Sequence, residues 1–281
     1  MAKNESLRRG YGFLPKKRLG QHFLKDKEVV REIIDKAKFG PSDQVLEIGA
    51  GLGALTLPLA SSVHQIIAIE KDPRLADALR KRLSLDDINN VSLINEDVLK
   101  LDFKRIPHLP EKKLKVIGNL PYNISSPFLE KLVENRNMVS RAILMFQFEL
   151  ASRLVATPGN RDFGAMTVLI QYHAHLSSLL NVPKEAFHPR PKVDSMVLEF
   201  DFERPYPRQV EDEAKFKIVV KGAFAHRRKT LLNSLKRTFS SPSSEEILVA
   251  LEKCDLDPRT RAESLDIDDF LCLASRLPAL S

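Results

Sequence analysis

The stretch from Gln44 to Ala54 constrains the fold of this 281-residue chain more than any other part of the sequence. It begins as an apolar run rich in β-favouring residues and then breaks into glycines at positions 49, 51 and 53. Residues 55–60 continue at helical spacing, so the stretch predicts a strand, a tight turn and a helix. Such glycines let the backbone approach a ligand closely, and the start of a helix offers unpaired N–H groups. The pattern therefore predicts a nucleotide site.

Two carboxylates bear on which nucleotide is bound. The spacing Gly49-x-Gly51-x-x-Ala54 also fits the loose dinucleotide fingerprint, which is weak on its own. Glu47 precedes the first glycine, where a carboxylate would repel a pyrophosphate but hold a cationic or amine-bearing ligand, such as the methionine half of S-adenosylmethionine (SAM). Glu70 ends a second predicted strand, residues 65–69, and is placed to accept hydrogen bonds from both hydroxyls of a ribose. Dehydrogenases have an acid at the same position, so Glu70 does not distinguish a SAM site from a dinucleotide site.

Strand and helix patterns alternate beyond this point. Further strands are predicted at residues 91–94, 114–117 and 142–146, then at 177–182 and 193–202. This alternation predicts an α/β fold with a mostly parallel, doubly wound sheet, resembling a Rossmann fold. In such sheets the ligand lies beyond the carboxyl ends of the strands. That is where the sequence places Glu47, Glu70, Asp97 and Asn119.

The last quarter of the chain has a different pattern. Residues 203–208 have the proline-rich composition of a linker. Beyond them only helices are predicted, at 211–224, 227–239, 244–251 and 267–276. We therefore expect a basic, flexible arm at residues 1–18, an α/β domain at 19–203 and a small helical domain at 204–281.

Composition excludes several kinds of protein. Cys254 and Cys272 are far apart and lack C-x-x-C spacing, so we expect buried thiols and neither a disulfide nor a zinc site. His173 and His175 have no third ligand at recognisable spacing, so no metal site is predicted. No apolar run approaches the length that spans a membrane. The 44 Lys and Arg against 37 Asp and Glu give only a hint of an anionic partner.

The sequence Asn119-Leu120-Pro121-Tyr122 follows a predicted strand and suits a planar base. The aromatic ring offers a stacking face. If the Asn119 side-chain oxygen and the Leu120 backbone carbonyl each accept one N–H from the exocyclic amine of adenine, the nitrogen lone pair is aimed at an electrophile. The sulfonium methyl of SAM is such an electrophile, and catalysis would then be mainly positioning and hydrogen bonding. The alternative is a plain β-turn whose Tyr covers the core.

Five motifs in this order resemble those of the ribosomal RNA adenine dimethyltransferases of the KsgA type. They are G-Q-H-F-L at 20–24, E-I-G-A-G-L-G at 47–53, N-L-P-Y-N-I at 119–124, F-H-P-R-P-K-V-D-S at 187–195 and H-R-R-K-T-L-L-N-S-L at 226–235. The resemblance runs from about residue 19 to the end. It implies a SAM-dependent methyltransferase domain followed by a helical domain. The implied activity adds two methyl groups to each of two adjacent adenosines near the 3′ end of small-subunit (16S) rRNA, during ribosome assembly.

The resemblance also implies a role for each site residue. Tyr122 would stack on one face of the target base and Phe187 would close over the other, although a core aromatic is the plain alternative for Phe187. The catalytic set is then Asn119, Leu120, Tyr122 and Phe187. The implied cofactor residues are His22 and Leu24 at the cofactor's edge, Gly49 at its methionine half, Glu70 at its ribose, Asp97 at its adenine amine, and Asn119. Glu47 and Gly51 of the glycine loop complete the predicted cofactor-binding set. His22 and Ala50 depart from the common Asn and Pro, and Glu96 leaves the adenine contact ambiguous by one position.

Two basic clusters suit contacts with rRNA phosphates. One is Lys16, Lys17 and Arg18; the other is Arg227, Arg228 and Lys229, at the start of a predicted helix. Phosphate contacts give affinity without reading sequence. A solvated helix face is the alternative. We expect a cytoplasmic monomer that acts on rRNA within an assembling 30S-type subunit, with no membrane and no protein partner.

Three other functions compete with this interpretation. A macrolide-resistance-type enzyme would use the same fold and N-L-P-Y site on free large-subunit RNA. A non-catalytic RNA- or DNA-binding protein on the same scaffold would have lost methyl transfer, against which the intact acids and N-L-P-Y argue. An NAD oxidoreductase would bind nicotinamide and not SAM.

Overall fold

A computed structural model of the chain describes residues 20–107 and 112–279. The chain divides into two compact units, one formed by Met1–Phe148 with Ser178–Glu199 and the other by Glu149–Ser177 with Phe200–Ser281. The basic arm expected at residues 1–18 lies outside the described residues. The boundary expected at 203/204 is close to the third crossing between the units, at 199/200. Residues 149–177, however, group with the helical unit.

The first unit is built on a seven-stranded sheet of order β4-β3-β2-β5-β6-β9-β7. Strands β2, β3, β4, β5 and β6 pair in parallel, which confirms the predicted sheet type. A separate antiparallel pair, β1 with β8, was not predicted. The strands are β1 Phe23–Leu24, β2 Gln44–Ile48, β3 Gln65–Ile69, β4 Val91–Ile94, β5 Leu114–Asn119, β6 Val139–Gln147, β7 His175–Val182, β8 Phe187–His188 and β9 Ser195–Asp201.

Helices of the first unit begin where the sequence offers a cap. Asp26 precedes α1, and its carboxylate accepts hydrogen bonds from the backbone N–H groups of Glu28 and Val29. Asp72 caps α3 by accepting one hydrogen bond, from the backbone N–H of Arg74, with Pro73 as the first helical residue. The central strands β2 and β3 are almost wholly buried, so the sheet is covered on both faces there. These helices are α1 Lys27–Ala37, α2 Thr56–Ala60, α3 Pro73–Leu85 and α4 Ser125–Glu134.

The second unit is helical, and its hydrophobic core draws on both of its chain segments. Phe163, Val168 and Tyr172 from the first segment belong to the same buried cluster as Phe216 and Phe270 from the second. The helices are α5 Phe148–Leu154, α6 Ala165–His173, α7 Glu213–Phe224, α8 Leu231–Thr238, α9 Ser244–Lys253 and α10 Ile267–Arg276. The helix predicted at 227–239 begins only at Leu231. Thr230 is its N-cap, and residues 225–229 form a turn.

The two cysteines form a disulfide, so the prediction of free thiols was wrong. Cys254 is the C-cap of α9 and Cys272 lies in α10, with Cα atoms 5.8 Å apart, a separation that a disulfide requires. Their spacing of 18 residues matches no local motif. Only the packing of α9 beside α10 brings the two sulfurs together.

Across 20–107 and 112–279 the helices are all too short or too polar to cross a bilayer. The same ranges hold no group of three or more His, Cys, Asp or Glu side chains arranged to bind a metal ion.

Candidate active site

A cavity of about 640 Å³ opens in the first unit at the carboxyl ends of β2, β3 and β5. Its walls come from five stretches of chain that are distant in sequence, within residues 20–34, 47–58, 69–75, 96–98 and 119–124. The structure therefore brings together ten of the residues selected from the sequence: His22, Leu24, Glu47, Gly49, Gly51, Glu70, Asp97, Asn119, Leu120 and Tyr122.

The glycine loop is tied to the neighbouring strand. The backbone N–H groups of Gly49 and Ala50 both donate to the carbonyl of Ile69, at 2.9 and 3.1 Å. Gly51 adopts a φ of +58°, and a Cβ there would meet the ring of Phe23 at 3.7 Å. A glycine is thus favoured by the backbone conformation. These main-chain hydrogen bonds fix the loop at the cavity wall without the help of a ligand.

Glu70 fastens this loop. One carboxylate oxygen accepts the N–H of Gly51 at 2.8 Å, and the other accepts the N–H of Asp72 at 2.7 Å. Burial raises the pKa of Glu70, while the two backbone hydrogen bonds oppose that rise. A carboxylate has about four acceptor positions, so both oxygens retain capacity for the hydroxyls of a ribose.

Glu47 is the buried carboxyl on the cavity wall. It is 2% exposed, and burial raises its pKa to about 7. Its Oε2 atom has no hydrogen-bond partner within the described part of the chain. A buried, unpartnered acceptor is costly unless a ligand supplies a donor or a positive charge. This orphaned oxygen fits a ligand that carries an ammonium or sulfonium group.

Asp97 lies at another part of the cavity wall. The ammonium of Lys71 donates to its Oδ2 at 2.7 Å, and the backbone N–H of Leu99 donates to its Oδ1 at 3.1 Å. Partial burial opposes ionisation, but the Lys71 ammonium and the Leu99 hydrogen bond outweigh it and hold the pKa below the ordinary value. Asp97 is therefore a charged acceptor, suited to an amine. Glu96 also lines the cavity.

Asn119 and Tyr122 are held by a network that includes His22. The Asn119 Nδ2 donates to the backbone carbonyl of His22 at 3.1 Å, and His22 Nδ1 donates to the carbonyl of Pro189 at 2.7 Å. The rings of His22 and Tyr122 stack, with centroids 5.5 Å apart and planes at 29°. The Tyr122 hydroxyl shares a hydrogen bond of 3.0 Å with Ser195 Oγ. Three motifs of the sequence therefore meet at one site.

Ser195 and the Pro189 carbonyl were not selected from the sequence as site residues. Ser195 is fully buried, and burial also raises the pKa of Tyr122. Within the motif F-H-P-R-P-K-V-D-S, only the first residue, Phe187, is predicted as a site residue. The presence of a serine at its end was a signal, but its partner could not be identified without the fold.

Phe187 is not brought to the cavity. It is 1% exposed in strand β8, where it pairs with Leu24 of β1, and it belongs to the hydrophobic core of the first unit. This position agrees with the alternative interpretation of Phe187, that it is an aromatic residue of the core. A stacking role over the target base would require it to leave that core.

The basic residues divide into two groups. Lys16, Lys17 and Arg18 lie outside the described residues. Arg227, Arg228 and Lys229 are exposed in the turn between α7 and α8, not on a helix as predicted. The Arg227 guanidinium also donates to the backbone carbonyl of Arg161 within the same unit.

Comparison with known families decides which family this arrangement represents. The sequence model described as ribosomal RNA adenine dimethylase matches residues 12–278. The chain belongs to this family.

Relatives of the dimethylase family match nearly the whole chain. The ribosomal RNA small subunit methyltransferase A of Desulforapulum autotrophicum is 43% identical over 94% of this chain and 92% of its own length. That of Geobacter metallireducens is 40% identical over 97% of this chain and 98% of its own length.

Solved structures agree in fold. A dimethyladenosine transferase from Plasmodium falciparum is 29% identical with a TM-score of 0.74, over 89% of this chain and 95% of that chain. The 23S rRNA methyltransferase ErmE is 25% identical with a TM-score of 0.68, over 91% of this chain and 99% of that chain. Both are similar along both units rather than along the sheet alone.

Proposed function

We propose that this member of the dimethylase family transfers methyl groups from SAM to the N6 atoms of two adjacent adenosines near the 3′ end of small-subunit rRNA, two methyl groups to each. One observation carries the proposal. The Asn119 amide, anchored to the His22 carbonyl, stands at a cavity whose glycine loop and carboxylates suit SAM. Family membership supplies the base, adenine, and the reaction, dimethylation.

The cavity residues fit SAM by their chemistry. Glu47 offers an unpartnered buried oxygen to the cationic methionine half, and Glu70 retains acceptor capacity for the ribose. The charged carboxylate of Asp97 suits the adenine amine, and the backbone around Gly49 and Gly51 lets the cofactor approach closely. His22 and Leu24 border the same cavity. When bound, SAM supplies an electrophilic methyl group.

The protein's part in the reaction is to position the target amine. The hydrogen bond from Nδ2 of Asn119 to His22 orients the amide, and the side-chain oxygen Oδ1 accepts an N–H from the target amine. The Leu120 carbonyl accepts the second N–H. Together they turn the nitrogen lone pair toward the methyl group, a contribution of positioning and hydrogen bonding. The methylated nitrogen is acidic and loses its proton to water, so no strong general base is required.

Tyr122 holds the plane of the target base. His22 stacks on one side of the Tyr122 ring, so the base uses the other side. We assign catalysis to Asn119, Leu120 and Tyr122, and we assign Phe187 the packing of β8 behind β1. The target base must leave its stack to reach these residues. Arg227, Arg228 and Lys229, with Lys16, Lys17 and Arg18, contact rRNA phosphates.

A second function, methylation of large-subunit rRNA, is favoured by one observation, the similarity to ErmE. Identity of 40% or more to relatives named small subunit methyltransferase A favours the small subunit. We propose accordingly that the substrate is the assembling small subunit and that the enzyme acts as a cytoplasmic monomer.

The deciding experiment offers the protein three substrates: unmethylated small subunits, free small-subunit rRNA and free large-subunit rRNA. Radioactive methyl transfer is measured, and the modified nucleosides are identified by mass spectrometry. Dimethyladenosine at two adjacent positions of the small-subunit substrate is the expected result. The Asn119→Ala protein is the control. Methylation of large-subunit RNA alone, or of cytosine or guanine, would overturn the proposal.

A further inference from the structure

Two large apolar side chains are exposed at one place in the first unit. Phe148 is 44% exposed and Val193 is 43% exposed, whereas most aromatic and aliphatic side chains of this unit are buried. Two exposed apolar side chains on adjoining segments beside a functional cleft form a candidate contact surface.

The chain fixes this pair next to the target-base site. Phe148 directly follows β6, and three residues earlier Met145 pairs with Asn119 across the sheet. The backbone N–H of Phe148 donates to the carbonyl of Asp194 at 3.0 Å. Asp194 is followed by Ser195, whose hydroxyl shares the hydrogen bond with Tyr122. The short segment from Val193 to Ser195 therefore joins Phe148 to the aromatic ring that faces the target base.

The charges around the pair suit a phosphate. Lys192, the residue before Val193, is exposed. The acidic neighbour Asp194 already accepts a hydrogen bond from the backbone N–H of Lys184 at 3.0 Å. Exposed Arg190 pairs with Glu185, and Glu149, the residue after Phe148, pairs with Arg153, so Lys192 is the charged residue of this segment that we assign to a phosphate. An aromatic ring with a lysine on the adjoining segment is a combination that unpaired nucleotides bind, the base on the ring and the phosphate on the ammonium.

We propose that Phe148 and Val193 form a stacking subsite for the unpaired nucleotide next to the target adenosine, with Lys192 facing its phosphate. This inference rests on the proposed function, which requires one base to enter the cavity while its neighbour stays outside. The subsite gives that neighbour a defined place. It also holds the second adenosine close to Tyr122 while the first is methylated.

A binding assay tests the subsite independently of catalysis. The probe is an RNA oligonucleotide with two adjacent target adenosines, in which one adenosine is replaced by fluorescent 2-aminopurine. Stacking on Phe148 quenches the fluorophore. Phe148→Ala should abolish the quenching and weaken RNA binding on the order of 10-fold. Phe148→Trp should keep both, whereas Phe148→Leu should keep the apolar contact but lose the quenching.

Leu85 provides a matched control, because it is 82% exposed and lies in α3, outside the cavity wall and the Phe148 pair. Leu85→Ala should bind RNA like the wild type. All variants should bind SAM and unfold thermally like the wild type, since the changed side chains are exposed.

Two outcomes would overturn the subsite: unchanged quenching and affinity in Phe148→Ala, or equal losses in Phe148→Ala and Leu85→Ala. A protein occupant would instead appear as normal RNA binding by Phe148→Ala with loss of a protein contact on the assembling subunit, and it would also refute the subsite. Failure of the wild-type protein to methylate any adenosine refutes the proposed function. The fluorescence assay requires no methyl transfer, so it tests the subsite even if the proposed function fails.

Discussion

The side-chain amide of Asn119 is anchored to the backbone carbonyl of His22, 3.1 Å away. The two residues are 97 positions apart in sequence, one at the end of β5 and the other just before β1. The bond uses one of the two N–H donors of the amide and fixes its orientation, which leaves the side-chain oxygen to accept from a ligand. His22 therefore orients the residue that we assign to catalysis.

Replacement of Asn119 should abolish most methyl transfer. Asn119→Ala removes the acceptor for the target amine, and we expect kcat to fall by about 100-fold or more, the scale seen when one preorganised hydrogen bond to a reacting group is lost. Asn119→Asp keeps acceptor oxygens but has no donor for the His22 carbonyl, so it should also be impaired. Single-turnover methyl transfer measures both. Activity of Asn119→Ala within threefold of the wild type would contradict the assignment.

The hydrogen bond between Tyr122 and Ser195 should contribute modestly. Tyr122→Phe and Ser195→Ala each remove the 3.0 Å bond while keeping the ring. We expect each change to cost about 1 kcal/mol of stability, the usual net value of one such bond. The double variant should cost little more than either single variant, because both delete the same interaction. Tyr122→Ala should instead raise the KM for RNA, since the stacking face is lost. Fully additive losses in the double variant would argue against direct coupling.

Glu47 should make cofactor binding depend on pH. Burial raises its pKa from 4.5 to about 7, so below pH 7 the folded protein holds this carboxyl protonated. A cationic cofactor favours the ionised form, so SAM affinity should rise as the pH increases through about 7, with release of a proton on binding. Calorimetry in buffers of different ionisation enthalpy measures that proton. Glu47→Gln should bind SAM weakly and without the pH dependence.

Glu47 should also make the stability of the cofactor-free protein depend on pH, in the direction opposite to its effect on SAM affinity. Between pH 4.5 and about 7 the unfolded chain has released the Glu47 proton while the folded protein retains it. The stability of the cofactor-free protein should therefore fall as the pH rises through this window, and the loss should persist above it. Glu47→Gln removes this contribution. If denaturant unfolding shows the same pH dependence in both proteins, Glu47 is not the responsible group.

Gly118 should tolerate no side chain. A Cβ at this position would lie 2.8 Å from the carbonyl oxygen of Ile48 and 3.2 Å from its Cβ, so alanine would push β5 away from β2 directly beside Asn119. We expect Gly118→Ala to destabilise the fold by about 1–3 kcal/mol and to reduce activity. Gly40 has open space around it, so Gly40→Ala is the matched control. Thermal unfolding of the two variants should differ clearly.

The disulfide should stabilise the helical unit. Cys254 and Cys272 close a loop across 18 positions, and a loop of this size corresponds to about 3 kcal/mol in the chain-entropy account. Treatment with dithiothreitol should lower the midpoint of thermal unfolding, as should Cys254→Ser with Cys272→Ser. The double serine variant should no longer respond to reductant. Mass spectrometry after alkylation without reduction checks directly that both thiols are blocked.

Local patterns predicted the parts of the fold that local chemistry decides. The strands at 44–48, 65–69 and 91–94 follow from short apolar runs in the sequence. The cavity acids were found for a similar reason, because parallel strands end on one edge. These predictions need no knowledge of distant contacts.

Long-range contacts decide the features that local sequence patterns do not predict. The disulfide depends on the packing of two helices, and the partner of Tyr122 lies 73 residues away. Phe187 is buried because β8 pairs with β1, a two-residue ladder too short to leave a pattern. The turn at 225–229 replaced a predicted helix because Thr230 caps α8 later than the apolar spacing suggested.

The core of the helical unit is formed by two separate segments of the chain, and this limits how the protein can be divided into fragments. Phe163, Val168 and Tyr172 precede the last strands of the sheet, yet they fill the same interior as Phe216 and Phe270. A fragment that starts at residue 204 would lack those three side chains and should collapse or aggregate. Swapping the helical unit between relatives therefore requires three junctions, at 148/149, 177/178 and 199/200, and a chimera with one junction at 199/200 draws its helical core from both parents.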